Sequence, residues 1–145
     1  ESFYIYKFRT MKESVKEGDE TERLTQITSF FRNYSLDELP TLLNVVMNNM
    51  SFVGPRPLLE DYRNEYTPEQ FKRHDVLPGI SGWAQINGRN SISWEEKFKL
   101  DLWYVENKSF ILDLKILCLT IIRIFNKTDI NQNSRNTMER FRRKT

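Results

Sequence analysis

The sequence predicts a helix-rich α/β (α+β) single domain with a few short strands, and three observations carry that reading. Apolar residues recur at helical spacing in several separate stretches, one short N-terminal segment alternates as a strand does, and two capping signatures mark helix starts. At 145 residues, 39% hydrophobic and 13% aromatic, the chain can bury one core, and its length argues for one domain.

Ser2 to Arg9 sets Phe3, Ile5 and Lys7 against Tyr4, Tyr6 and Phe8, which predicts a strand with Lys7 and Arg9 near its end. Met11 to Glu22 is charged, holds Gly18 and has no apolar period, so it reads as a loop. Leu24, Ile27, Phe30 and Phe31 predict a helix that leads Arg32 toward the acidic pair Asp37-Glu38.

Leu39, Leu42, Leu43, Val46, Met47 and Met50 then predict an amphipathic helix with that stripe on the core and Asn44, Asn48 and Asn49 facing away. Pro40 lacks an N–H and belongs in a first helical turn, which puts Asp37 near the N-cap and Glu38 just inside. The Gly-Pro-Arg-Pro loop that follows restricts the backbone on both sides of Arg56.

Thr67-Pro68-Glu69-Gln70 is a helix start with Thr as cap, Pro first and Gln third, for a helix running to about Asp75. Pro78 to Asn90 carries three glycines and no period, and reads as an irregular, partly buried loop holding Arg89. Ser93-Trp94-Glu95-Glu96 opens a helix with Trp94, Phe98, Leu102 and Val105 on one face and Asp101 exposed by pattern.

Phe110 to Phe125 is the most apolar segment, with Asp113, Thr120, Arg123 and Lys127 on a narrow polar stripe. At ~24 Å it is shorter than a ~30 Å hydrocarbon core, so it either packs centrally or lies as an amphipathic helix in a membrane interface. Cys118 within it reads as a buried thiol, and a single cysteine allows no disulfide within the chain. Residues 1–127 form the predicted domain, and 128–145 a polar, basic tail predicted to be disordered. The sequence opens on Glu1 rather than Met, which predicts a piece of a longer protein.

A net charge of +2 lacks the basic footprint of a dedicated nucleic-acid binder. Neither GxGxxG nor GxxxxGK[ST] occurs, and one histidine, His74, supports neither a zinc site nor a hydrolase triad. Lys7, Arg9, Arg32, Arg56 and Arg89 around Asp37 and Glu38 suit a phosphorylated substrate with a divalent metal. Arginine grips phosphate oxygens bidentately, and Mg²⁺ takes oxygen ligands. Adjacent helical residues point in different directions, so the two acids divide roles rather than share a proton. The plainer alternative is that Ser35, Asp37 and Glu38 only cap a helix and complement its dipole.

Tyr6 to Met11 (YKFRTM), Ser35 to Pro40 (SLDELP), Met50 to Leu58 (MSFVGPRPL), Arg73 to Asn90 (RHDVLPGISGWAQINGRN) and Trp94 to Asn107 (WEEKFKLDLWYVEN) together resemble the bacterial sugar transferase family, the monotopic phosphoglycosyl transferases. The resemblance implies a compact helix-rich α/β unit anchored by an N-terminal helix that this sequence does not include. The implied place is the cytoplasmic face of the bacterial inner membrane. The implied activity transfers a sugar 1-phosphate from a UDP-sugar to a polyprenyl (undecaprenyl) phosphate and releases UMP, initiating glycan assembly.

By motif, Asp37 is the implied nucleophile of an aspartyl phosphosugar intermediate, and Glu38 with Asp37 the Mg²⁺ ligands. Arg32, Arg56 and Arg89 match phosphate- or nucleotide-binding positions, with Lys7 and Arg9 as further substrate-binding candidates. Asp101 matches a motif position without an assigned role. Two other readings stay open: a UDP-sugar or UMP binding module without turnover, and a membrane-associated interaction domain built on Phe110 to Phe125.

Overall fold

The computed structural model describes residues 2–10, 31, 34–88, 92–125 and 141. In chain order they form a 3-10 turn at Leu36–Thr41, then α1 (Leu42–Val46), β1 (Ser51–Val53), a 3-10 turn at Glu60–Glu65 and α2 (Pro68–Phe71). A 3-10 turn at Lys72–His74, β2 (Gly79–Ser81), α3 (Trp83–Asn87), α4 (Trp94–Asn107) and α5 (Phe110–Phe125) follow. The fold is a helix-rich α/β arrangement, as the sequence predicts.

The only sheet among the described residues is the parallel pair β1-β2, in register Ser51 to Gly79 and Val53 to Ser81. The two backbones lie so close that a Cβ on Gly79 would run into the Gly54 amide nitrogen, and one on Gly54 into the Leu77 carbonyl. Only glycine permits that approach. Past the strands Gly54 N donates to Ser81 O (2.9 Å), and, outside that register, Gly79 N donates to Pro55 O (3.0 Å). The second bond ties the start of β2 to the loop that carries Arg56.

Val53, Ile86, Tyr104 and Ile116 form the main core, flanked by Val76, Trp83, Leu112, Leu117 and Leu119. Helix α5 thus packs on the domain through one face while Phe110, Ile111, Leu114, Ile121 and Ile122 stay exposed. A second, aromatic cluster joins Tyr62, Phe98 and Phe141, with Tyr66 and Trp94 against it. Phe141 is buried there. Both capping boxes are present, Thr67 with Gln70 and Ser93 with Glu96, because each side chain satisfies the other's backbone donor.

Other parts depart from the sequence reading. Ser2 to Arg9 contains no strand; its backbone meets the Asn44 and Thr41 side chains rather than a neighbouring strand. Leu39 to Met50 is not one helix. The 3-10 turn holds Pro40 as its fifth residue, then α1 lasts five residues and stops in a Schellman turn. There Asn48, at φ 60°, donates to Val45 O (2.9 Å) and Asn49 donates to Asn44 O (2.9 Å).

The change from 3-10 to α rotates the side chains relative to a single helix. Leu43 is 55% and Val46 83% exposed, while Asn44 is fully buried, the reverse of the prediction at these positions; Met50 is buried and Asn48 exposed, as predicted. Residues 78–90 are not wholly irregular, since they supply β2 and α3. Cys118 is exposed rather than buried because it faces away from the Ile116 side of α5. Of the helix predicted from Leu24, only Phe31, which is helical, and Tyr34 are among the described residues, and the 11–22 loop lies outside them.

Candidate active site

Ser35 opens the site with a left-handed backbone, φ 55°, and turns the chain into the 3-10 segment that carries Asp37 and Glu38. An L-residue adopts that conformation only at an energetic cost, which the surrounding contacts must offset. Its side chain makes no capping hydrogen bond, so the simple cap reading of Ser35 does not hold. What fixes the turn is backbone pairing. Phe8 N donates to Asp37 O (3.0 Å), and Glu38 N to Ser35 O (3.2 Å).

The N-terminal segment is held by buried polar side chains. Asn44 Nδ2 donates to Tyr4 O (2.7 Å), Tyr6 N donates to Asn44 Oδ1 (3.2 Å), and Thr41 Oγ1 donates to Tyr6 O (3.0 Å). One asparagine amide thereby imitates a strand's donor and acceptor, which is why the segment needs no sheet. The next residue is Lys7, whose Nζ donates to Glu38 Oε1 at 2.8 Å. From the other side Arg56 Nη2 donates to the same oxygen at 2.7 Å.

Glu38 is the pivot of this cluster. Its side chain is largely buried, and burial, the largest influence, pushes its carboxyl up; Arg56 and Lys7 together outweigh that and hold it at about 2 rather than 4.5. The folded value is depressed, so the group's stabilisation is present above pH 4.5 and is lost as pH falls from there toward 2. Glu38→Gln is expected to remove that loss. Because Arg56 and Lys7 are partly exposed, we expect the native chain to lose about 1–2 kcal/mol more than the variant between neutral and acidic pH, in chemical denaturation at each pH.

The Arg56 loop has its own support. Arg73 Nε and Nη2 both donate to Asp101 Oδ2, at 3.0 and 2.7 Å, and Nη2 also donates to Arg56 O at 2.7 Å. Arg73 is 3% and Asp101 4% exposed. Asp101 is therefore buried rather than exposed as its pattern predicts; a helix-facing pattern cannot report a cation arriving from 28 residues away. A cleft of about 670 Å³ opens beside the loop, with Arg56, Arg63, Tyr66, Phe71 and His74 among its walls.

The structure brings Lys7, Glu38 and Arg56 into direct contact and sets Asp37 beside Glu38 in the same turn. Arg9 is exposed two residues beyond Lys7, while Arg32 and Arg89 lie outside the described residues. Asn44, Thr41 and Arg73 also build this cluster, without a signal in the sequence that marks them. Asn44 falls on the predicted polar face, and Arg73 in a charged helix, so neither carries a local signal of burial.

Among the described residues no group of three His, Cys, Asp or Glu side chains forms a protein-only metal cage. Asp37 and Glu38 supply two oxygen-donor carboxylates in one turn, the chemistry Mg²⁺ takes, and one oxygen of Glu38 is already shared by Lys7 and Arg56. No helix of the described residues is long and apolar enough to cross a membrane.

The family model described as bacterial sugar transferase matches residues 1–127. An uncharacterized sugar transferase of Bacillus subtilis, EpsL, is 55% identical over 143 residues, covering 96% of this chain and 71% of that protein. A UDP-glucose:undecaprenyl-phosphate glucose-1-phosphate transferase of Xanthomonas campestris is 37% identical over 84% of this chain. Its counterpart in Escherichia coli is 38% identical over 83%. The chain spans only 28% and 29% of the lengths of these two enzymes.

Proposed function

The chain belongs to the bacterial sugar transferase family, and from that footing we propose that it transfers a sugar 1-phosphate from a UDP-sugar to a polyprenyl phosphate, releasing UMP. Undecaprenyl phosphate is the acceptor in the names of its relatives, and the reaction would open a glycan assembly at the cytoplasmic face of the inner membrane. The observation that carries the reading is the convergence of Lys7 and Arg56 on Glu38, one residue from Asp37. Two cations and two carboxylates so arranged suit a substrate diphosphate better than a helix cap, which requires neither cation.

In the proposed reaction an Asp37 carboxylate oxygen attacks the β-phosphorus of the donor. The bond from that phosphorus to the bridging oxygen breaks, and UMP leaves with the oxygen and its electron pair. The polyprenyl phosphate oxygen then attacks the same phosphorus and frees the Asp37 carboxylate, giving a polyprenyl diphosphate sugar. Covalent catalysis splits one difficult transfer into two steps, provided cations neutralise the phosphates that an anion must approach. Arg56 and Lys7 are already poised to do so, because Glu38 holds both before substrate arrives. Asp37 and Glu38 are the residues that would hold Mg²⁺, which would supply further neutralisation of the diphosphate.

The exposed Leu42, Leu43 and Val46 of α1 and Met47 just after it, with Phe110, Ile111 and Leu114 of α5, supply apolar surface for a membrane interface. The full-length protein in membranes, given a panel of UDP-sugars, polyprenyl phosphate and Mg²⁺, is expected to release UMP from at least one donor. Chelation is expected to stop it. A charge-assisted hydrogen bond is worth about 1.5–3 kcal/mol, so Arg56→Ala is expected to raise the donor KM about 10- to 100-fold. Absence of UMP release from every donor, with UMP still bound, would favour a binding module instead.

A further inference from the structure

We infer that Arg73, locked by Asp101, is the positioning residue that aims Arg56 at the donor's phosphates. The inference rests on the donor reading above, but its structural half stands on geometry alone. Arg56 sits between two prolines, so its loop is stiff, yet its guanidinium is on the open side of the molecule and nearly half exposed. A stiff loop fixes a side chain only if the loop itself is fixed to the body.

Two consecutive carbonyls do this. Gly79 N holds Pro55 O at 3.0 Å, and Arg73 Nη2 holds Arg56 O at 2.7 Å. Arg73 cannot drift, because Nε and Nη2 share Asp101 Oδ2 and its guanidinium carbon lies 5.6 Å from the centre of the Phe98 ring. Asp101 in turn is fixed on the 14-residue helix α4. A line of contacts therefore runs from α4 through Asp101 and Arg73 to the Arg56 backbone, and from the Arg56 side chain to Glu38.

The economy of the arrangement also points to a positioning role. A fully buried ion pair is often no more stabilising than an apolar pair of similar volume. Its distinctive product here is direction: one rigid fork whose remaining hydrogen bond ends on the residue that contacts Glu38. Neither lysine nor an apolar side chain at position 73 can bond Asp101 through two donors in one plane while also reaching that carbonyl.

The test uses Arg73→Lys and the apolar pair Arg73→Met with Asp101→Leu, each also made with Arg56→Ala. Two readouts are taken: the NMR order parameter of the Arg56 amide, and donor KM with kcat for UMP release. In the native protein the Arg56 amide should be rigid, with an order parameter of about 0.85, and in both variants it should fall to below about 0.6.

Donor KM should rise about tenfold or more in both variants, and not rise further when Arg56 is already alanine. An unchanged order parameter would overturn the inference, as would an equal rise in KM with and without Arg56. So would loss of the cooperative fold in both variants, which makes the pair a strut only. Failure of the native protein to release UMP would instead count against the proposed function, while the order parameter still decides whether Arg73 holds the Arg56 loop.

Discussion

Asp37→Asn is expected to lower UMP release from the best UDP-sugar on the order of 10⁴-fold, the size of loss seen when an essential catalytic carboxylate is removed. Asparagine keeps nearly the volume and shape of aspartate, and the backbone bond from Phe8 N to Asp37 O does not involve the side chain. The Lys7–Glu38–Arg56 cluster should therefore survive, and donor binding with it. What is lost is the anionic oxygen that attacks the β-phosphorus.

The pattern across variants separates this role from a structural one. Asp37→Asn should depress kcat with little change in donor affinity, whereas Arg56→Ala should act chiefly on KM. A donor labelled in its β-phosphate should mark the native chain covalently when acceptor is withheld, and should not mark Asp37→Asn. A variant that releases UMP at the native rate, or still takes up label, would remove Asp37 from the chemistry.

Much of this site was legible in the sequence, because its parts lie in short motifs whose chemistry is local. Glycine and proline fix the backbone around Arg56, the acidic pair follows a turn residue, and the capping boxes at Thr67 and Ser93 mark their helix starts, although the first helix, predicted to about Asp75, turns 3-10 after Phe71. What was not legible depends on partners distant in sequence. Asn44 looks solvent-facing on a helical wheel, and its burial follows from the 3-10 geometry around Pro40 and from the Tyr4 and Tyr6 backbone 38 to 40 residues away. The three-residue strands β1 and β2 are too short for a period-two pattern, and their pairing is marked only by two glycines that must touch. The apolar stripe of α1 misled for a physical reason as well. Periodicity reports that one face is apolar, and does not say whether protein covers it.

Arg73→Met alone is expected to be among the most destabilising single changes in the domain, at about 3–5 kcal/mol near neutral pH, because it leaves the Asp101 carboxylate buried without a partner. Burial already pushes the Asp101 carboxyl above its ordinary 3.8, and Arg73 pulls it back only in part. Without Arg73 the carboxyl rises further, and the folded variant then binds a proton that the unfolded chain has released. A raised folded value gives stability that is full below the unfolded pKa and is lost as pH rises through the folded one. The variant should therefore recover part of its deficit as pH is lowered toward 4, opposite in sign to the acid loss expected from Glu38. Adding Asp101→Leu removes the orphaned charge and should return stability at neutral pH to within about 1–2 kcal/mol of the native chain, while the Arg56 carbonyl still lacks its donor. Denaturant titrations of the native, single and double variants across that pH range measure all three effects. A single variant as stable as the native chain would show that the pair is not buried in solution as it is here, and equal losses in single and double variants would assign the cost to packing against Phe98 rather than to the unpaired charge.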